Sequence, residues 1–202
     1  NKLLTENLRF NLGTIRFESG DNLGVEVSRG FEFLNEDFDI LGDSTVIVAP
    51  GKYVNWGYEL QASSASFRKV SGSIGYEAGG FWTGNIRRLV MGLTIRPALG
   101  INLSSGYTHA QVSAENSGFS TNLFQVDLGL DFTPDISLSS NIQFDDISDI
   151  LGTNTRFRWI ITPGTDIFFV YNHNWLNNPT LNRRLFTTQQ GAAMKAVYTY
   201  RF

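Results

Sequence analysis

The chain has 202 residues, 16 basic and 19 acidic, a formal net charge of −3 and no cysteine. The missing cysteines exclude a disulfide framework, a thiolate metal site and a cysteine nucleophile. The lack of basic excess leaves no electrostatic footprint for nucleic acid.

Aromatic residues make up 13% of the chain and charged residues only 17%, yet mean hydropathy is −0.12. An aromatic-rich, charge-poor chain that is not greasy on average must alternate apolar with polar residues. Purely apolar runs are short, Ile167–Tyr171 being an example, whereas a transmembrane helix needs roughly twenty such residues.

The period along the chain is two, which is the period of a strand with one apolar and one polar face. In chain order the alternation predicts strands at 7–18, 22–34, 52–64, 69–79, 85–96, 99–112, 122–133, 136–146, 154–162, 166–175 and 191–202. Val54, Trp56, Tyr58 and Leu60 interleave with Asn55, Gly57, Glu59 and Gln61. Phe124, Val126, Leu128, Leu130 and Phe132 interleave with Gln125, Asp127, Gly129 and Asp131. At the C-terminal end Ala192, Met194, Ala196, Tyr198, Tyr200 and Phe202 share one parity, and Lys195, Thr199 and Arg201 the other. Strands of this length suit a tilted membrane crossing better than a soluble sandwich, whose strands usually run about five or six residues.

Connection lengths alternate as well. Tight turns are predicted at Arg96-Pro97, Thr133-Pro134-Asp135 and Thr162-Pro163-Gly164, where proline and glycine preset turn dihedrals. Longer polar loops are predicted at 35–51, 113–121, 146–153 and 173–190. Short turns at one end and long loops at the other describe an all-β, antiparallel, up-and-down transmembrane β-barrel, or its C-terminal portion, with the short turns periplasmic. Aromatics toward strand ends, such as Trp56, Trp82, Phe168 and Trp175, fit interfacial girdles. Eleven strands is an odd count, whereas single-chain bacterial barrels have even numbers. The expectation is therefore one barrel domain over 1–202 that lacks N-terminal strands or an N-terminal periplasmic domain. Its 191–202 strand would close on that segment or on another chain.

Several stretches carry a family resemblance. They are Ala49-Pro50-Gly51-Lys52-Tyr53, Val70-Ser71-Gly72-Ser73, Gly79-Gly80-Phe81-Trp82-Thr83-Gly84 with Arg87-Arg88, Asn154-Thr155-Arg156-Phe157-Arg158-Trp159, Pro163-Gly164-Thr165-Asp166 running on to Asn172, and the ending Tyr198-Thr199-Tyr200-Arg201-Phe202. From about residue 38 onward the chain resembles the C-terminal outer-membrane barrel of a Gram-negative family of unknown function. In that family an N-terminal periplasmic domain resembling family-9 carbohydrate-binding modules precedes the barrel. That domain has no counterpart here, so the resemblance carries over no sugar-binding role. It also carries over no catalytic residues, since the family has none established. The family's barrel is longer than this chain, in keeping with missing strands.

Three groups of residues are site candidates. Tyr198, Tyr200 and Phe202 resemble the signal by which the outer-membrane assembly machinery recognises its clients, through addition of an edge strand. The polar parity places charged residues toward a lumen: Glu59, Glu77, Arg96, Asp127, Asp131, Arg156, Arg158, Lys195 and Arg201, with Glu26, Glu32, Arg88 and Asp145. Both signs occur, so no single-sign selectivity filter is evident. The bland account is lumen-filling ion pairs, and the sharper one a wet conduction path. Asp145, Asp146 and Asp149 have oxygen ligands at a spacing that could suit calcium, but they lack the glycine and distal glutamate of a calcium loop, so a solvated acidic loop is expected and no metal. His109 and Ser113 are four residues apart on one strand, over about 13 Å by strand rise, so they make no base–nucleophile pair. No cofactor motif occurs.

These residues point to an outer-membrane barrel that serves as a channel, a transport component or a membrane anchor, without a catalytic role. Its expected partners are outer-membrane lipid and the assembly machinery. A binding or scaffold subunit of a larger outer-membrane complex is the alternative. An outer-membrane hydrolase ranks below both.

Overall fold

The computed structural model of the protein describes residues 4–42, 45–114, 118–178 and 185–199. It contains β1 (Thr5–Arg16), β2 (Asn22–Leu34), β3 (Phe38–Asp39), β4 (Ile47–Val48), β5 (Gly51–Ser63), β6 (Val70–Phe81), β7 (Gly84–Ile95), β8 (Ile101–Ser113), β9 (Gly118–Thr133), β10 (Ile136–Asp145), β11 (Ile150–Thr162), β12 (Thr165–Asn177) and β13 (Leu185–Tyr198). Eleven of these form one up-and-down sheet in the order β1-β2-β5-β6-β7-β8-β9-β10-β11-β12-β13. The short β3 and β4 pair with each other inside the β2–β5 connection. Among the described residues, β1 has a sheet neighbour only in β2 and β13 only in β12.

All eleven predicted strands are present, and the differences lie at their ends. β9, β11 and β13 begin at Gly118, Ile150 and Leu185, four to six residues before the predicted starts at 122, 154 and 191. The ladders simply continue: Asp145 pairs with Ile150 and Asn177 with Leu185. The expected loops 146–153 and 173–190 are therefore shorter than their polar residues suggested, because the backbone of 150–153, 173–177 and 185–190 is already paired in the ladders.

The chain divides into two compact units. The first comprises Asn1–Ser66, Gly72–Met91 and Thr108–Thr121, and the second Phe67–Ser71, Gly92–Tyr107 and Asn122–Phe202. In the first unit β1 shows why parity alone misleads. Leu8 and Phe10 are even-numbered, but Ile15 is odd. A register shift between Asn11 and Gly13 absorbs the difference, so that Phe10 faces Val27 and Ile15 faces Leu23. An extra residue of this kind is a β-bulge. On the opposite side Asn11 Nδ2 donates to Thr14 Oγ1 at 3.2 Å, which puts these two polar residues together despite their odd spacing.

In the second unit the register aligns one face cleanly. Thr155, Phe157 and Trp159 pair with Tyr171, Phe169 and Ile167, which pair with Ala192, Met194 and Ala196. Tyr198 continues this face opposite Thr165. The predicted parity of 192–198 is thus the observed one, while Tyr200, Arg201 and Phe202 lie outside the described residues. The turn at Pro163-Gly164 places Gly164 at φ 90°, a conformation glycine adopts without steric cost. A β-carbon there would come 2.9 Å from Thr199 Cβ, so this turn and the end of β13 lie together. The Pro134 turn is closed by Thr133 Oγ1, which accepts from the Asp135 and Ile136 N–H groups at 3.2 and 3.1 Å.

The core is small. Among the described residues the buried apolar ones are Val46, Val48, Ala65, Ile86, Ala110 and Val112, all of them in the first unit. Among the described residues of the second unit none is buried. Large apolar side chains lie outward instead: Tyr58 is 60% exposed, Tyr198 74% and Met194 75%.

Candidate functional site

The polar face of each unit is built by the residues that alternate with the exposed apolar ones. In β5 the side chains of Val54, Trp56, Tyr58 and Leu60 are exposed, while Tyr53, Asn55 and Glu59 are half-buried. This is the reverse of a soluble sheet, whose apolar face is the hidden one.

In the first unit, pairing aligns Glu26 with Glu59 and Glu59 with Glu77. Three carboxylates therefore stand side by side on adjacent strands, an arrangement that is destabilising when uncompensated. Arginines hold the two ends. Arg88 Nη1 lies 2.8 Å from Glu77 Oε2, and Arg9 Nε lies 3.8 Å from Glu26 Oε1. The central Glu59 accepts a hydrogen bond from Gln61 Nε2. These groups line a cleft of about 540 Å³ together with Asn7, Asn11 and Ser28. Farther along the same face Glu32 accepts from Trp82 Nε1 at 2.9 Å. Trp82 itself sits at φ 48°, uncommon for a bulky residue, and packs against the rings of Phe38 and Phe81 at 5.3 and 4.5 Å.

Removing the central charge tests the row. Glu59→Gln should raise the stability of the refolded protein by about 0.2–1 kcal/mol, the range for one cross-strand pair. The urea midpoint reads this, and a lowered midpoint would show that Glu59 is held by net attraction instead.

In the second unit Asp127 accepts from Gln125 and from Asn141, at 2.9 and 2.7 Å. Asp131, Ser137, Arg158, Phe168 and Lys195 form one cross-strand row. Arg158 Nη2 lies 3.3 Å from Asp166 Oδ1, and its guanidinium stands 5.5 Å from the Phe168 ring centroid. Arg156 is exposed and faces Val170 across the ladder. Arg96 lies just beyond β7, in the turn, where its N–H donates to the Lys69 carbonyl at 2.7 Å. Arg201 is outside the described residues. The predicted charged residues thus do not gather into one cluster, because strand geometry spreads them along separate rows.

Two polar groups near the loops have structural duties. Asp145 accepts from the Ile147 N–H and from Ser148 Oγ, at 3.0 and 2.9 Å. Asp146 accepts from the Asn122 N–H at 2.6 Å and from the Asn122 side-chain amide. Both carboxylates brace the β10–β11 turn, and among the described residues no group of three metal-ligating side chains forms.

The histidines separate. His109 remains on β8 with Ser113, whose Oγ donates to the Asn85 carbonyl at 3.5 Å. His173 carries a pairing the sequence did not reveal. Its Nδ1 lies 2.8 Å from Tyr171 Oη and its Nε2 2.8 Å from Thr187 Oγ1, and its ring stacks on Trp175 at 3.8 Å. Thr187 lies on a different strand, brought into reach by a register shift in the β12–β13 ladder between Asn174 and Trp175. The three groups share the apolar face with Phe169 and Ile167, and both ring nitrogens are engaged. That suits amphipathic side chains at a membrane–water boundary.

No protein-family model matches the chain, and neither a curated protein nor a solved structure is significantly similar to it.

Proposed function

We propose that the chain is a transmembrane β-barrel domain of the bacterial outer membrane, acting as a channel, a transport component or a membrane anchor without catalysis. The observation that carries this reading is the inverted pattern of exposure. Ordering one residue costs about 1–2 kcal/mol of backbone entropy, which a water-soluble domain offsets by burying apolar side chains. The second unit buries none among its described residues, yet its ladders align Phe157, Phe169 and Met194 with Trp159, Ile167 and Ala196 on one face. Hydrocarbon on that side supplies the missing apolar environment. Strand length agrees. Thirteen residues, as in β5, β11 and β12, span about 43 Å at about 3.3 Å per residue. Tilted by about 45°, they cross about 30 Å, the thickness of a hydrocarbon core.

In this reading the polar faces line the interior, and the mixed charges there hold the wall in place and wet. The terminal strands need a further partner. With eleven strands alternating in direction, β1 and β13 run the same way, so any direct pairing of the two would have to be parallel. Backbone groups left unpaired in lipid cost several kcal/mol each. An antiparallel strand from a further segment or another chain therefore completes the wall. The same free edges favour the second reading, a scaffold subunit within a larger outer-membrane complex. The face of Tyr198 would serve the assembly machinery during insertion, and the resemblance to the Gram-negative barrel family points the same way.

Refolding into lipid vesicles followed by planar-bilayer recording separates these readings. Discrete conductance steps are expected of a channel. Insertion without conductance identifies the anchor or scaffold. A chain that stays monomeric in detergent-free buffer and ignores vesicles would overturn the membrane reading altogether.

A further inference from the structure

The polar face of the second unit carries a feature unlike the charged cleft of the first. Cross-strand pairing sets Asn141 beside Asn154, and Asn154 beside Asn172. The adjoining row sets Gln143 beside Gly152, Gly152 beside Asn174, and Asn174 beside Gln189. Six carboxamides therefore occupy two neighbouring rows on β10–β13. They line a cleft of about 520 Å³, within the roughly 300–1,000 Å³ of small-molecule sites.

Two glycines open the floor. Gly152 lies in the middle of the second row, where a β-carbon would come 3.1 Å from Asn174 Oδ1. Gly191 pairs with Asn172 at the end of the first row, and a β-carbon there would meet nothing within 4 Å. The amides are only partly committed to each other. Asn154 Nδ2 donates to Asn172 Oδ1, and Asn141 Nδ2 donates to Asp127. These bonds leave Asn154 Oδ1 as an acceptor and Asn172 Nδ2 as a donor, pointing along one uncharged surface. Among the described residues the side chains of Gln143, Asn174 and Gln189 have no side-chain hydrogen bond. The one carboxylate of the lining, Asp145, is turned to its own loop.

We infer that this cleft binds a neutral polyhydroxylated solute of the saccharide class. A hydroxyl is both donor and acceptor, as is a carboxamide, so paired amides match vicinal hydroxyls without any charge. An anion entering the same cleft would shed water with no opposite charge to receive it, and a cation would meet only Asp145, whose two oxygens already accept from the Ile147 N–H and Ser148 Oγ. The assignment goes beyond the proposed membrane role, since it holds for a conducting barrel and for an anchor alike.

The test uses the full chain refolded in detergent micelles, with nitrogen-15-labelled amide side chains followed by NMR. Maltotriose is the neutral probe, and spermidine and citrate are the charged controls. Saturable shifts of the Asn154 and Asn172 side-chain amides are expected with maltotriose, with a Kd of about 1 mM or below, typical of a weak small-ligand site, and none with the controls. Gly191→Leu adds bulk to the lining at a position whose β-carbon meets nothing within 4 Å, and should weaken binding at least tenfold while the strand signals stay in place. Asn154→Leu should do the same by removing the central acceptor. Absence of saturable shifts with maltotriose overturns the inference. So does equal binding by the charged controls, or binding that survives both substitutions.

Discussion

Phe169→Arg should lower folding stability in lipid vesicles by about 2–4 kcal/mol, the cost of a cation near the bilayer midplane of a barrel wall. Phe169 lies close to the middle of β12, pairs with Phe157 and Met194, and is 43% exposed on the apolar face. In the proposed membrane orientation a guanidinium at this position would face hydrocarbon. Asn172→Arg, three residues farther on, places the same cation on the polar face beside Asn154 and should change stability little. Urea titration in vesicles and heat-dependent gel mobility read both variants. Equal losses for the two would mean that the faces do not differ in solvent, and the membrane reading would fall with them.

Gly79→Val and Gly84→Val should each cost about 3 kcal/mol or more, at or beyond the top of the usual range for overpacking, because the obstacle in each case is backbone. Gly79 pairs with Gly57, and a β-carbon at Gly79 would stand 2.7 Å from Gly57 Cα and closer still to the Trp56 carbonyl. At Gly84 it would run into the Ser113 carbonyl and come within 2.8 Å of Ala114 Cα. Side chains can rotate away from such a contact, but a paired strand cannot. Gly75→Ala is the matched control, since its β-carbon would meet only Val90 Cβ, at 3.9 Å. Refolding yield and urea midpoints should rank Gly75→Ala near the parent chain and the two valine variants far below. Normal midpoints for Gly79→Val and Gly84→Val would show that β6 and β7 approach their neighbours less closely than described.

Much of the architecture was legible because a strand's side-chain period is fixed by covalent geometry. The parity of Ala192, Met194, Ala196 and Tyr198 sufficed to assign their common face. The alternation of Val54, Trp56, Tyr58 and Leu60 with polar neighbours likewise located β5. Parity fails where a strand carries an extra residue. Leu12 reads as a third member of the Leu8–Phe10 stripe, but the bulge beside it carries the face over to Ile15. The one local sign of that bulge is Gly13 inside the strand, since an isolated strand glycine often marks a bulge; its exact place is set by how β1 and β2 align.

The candidate sites depended more heavily on pairing. Glu26, Glu59 and Glu77 are separated by more than thirty and by nearly twenty residues of chain, and nothing in their local sequence says that they stand abreast. The same holds for Asn141, Asn154 and Asn172, and for His173 with Thr187.

By itself the sequence determined that this protein is made of long two-faced antiparallel strands in a meander, and which side chains of one unbulged strand share a face. Each of these follows from short-range stereochemistry and the two-residue period. Only the tertiary structure decided which residues of different strands are neighbours. Cross-strand register depends on hairpin turns, bulges and the fit of whole ladders, so the acidic row, the amide cleft and the His173 cluster came into being only when the strands were paired.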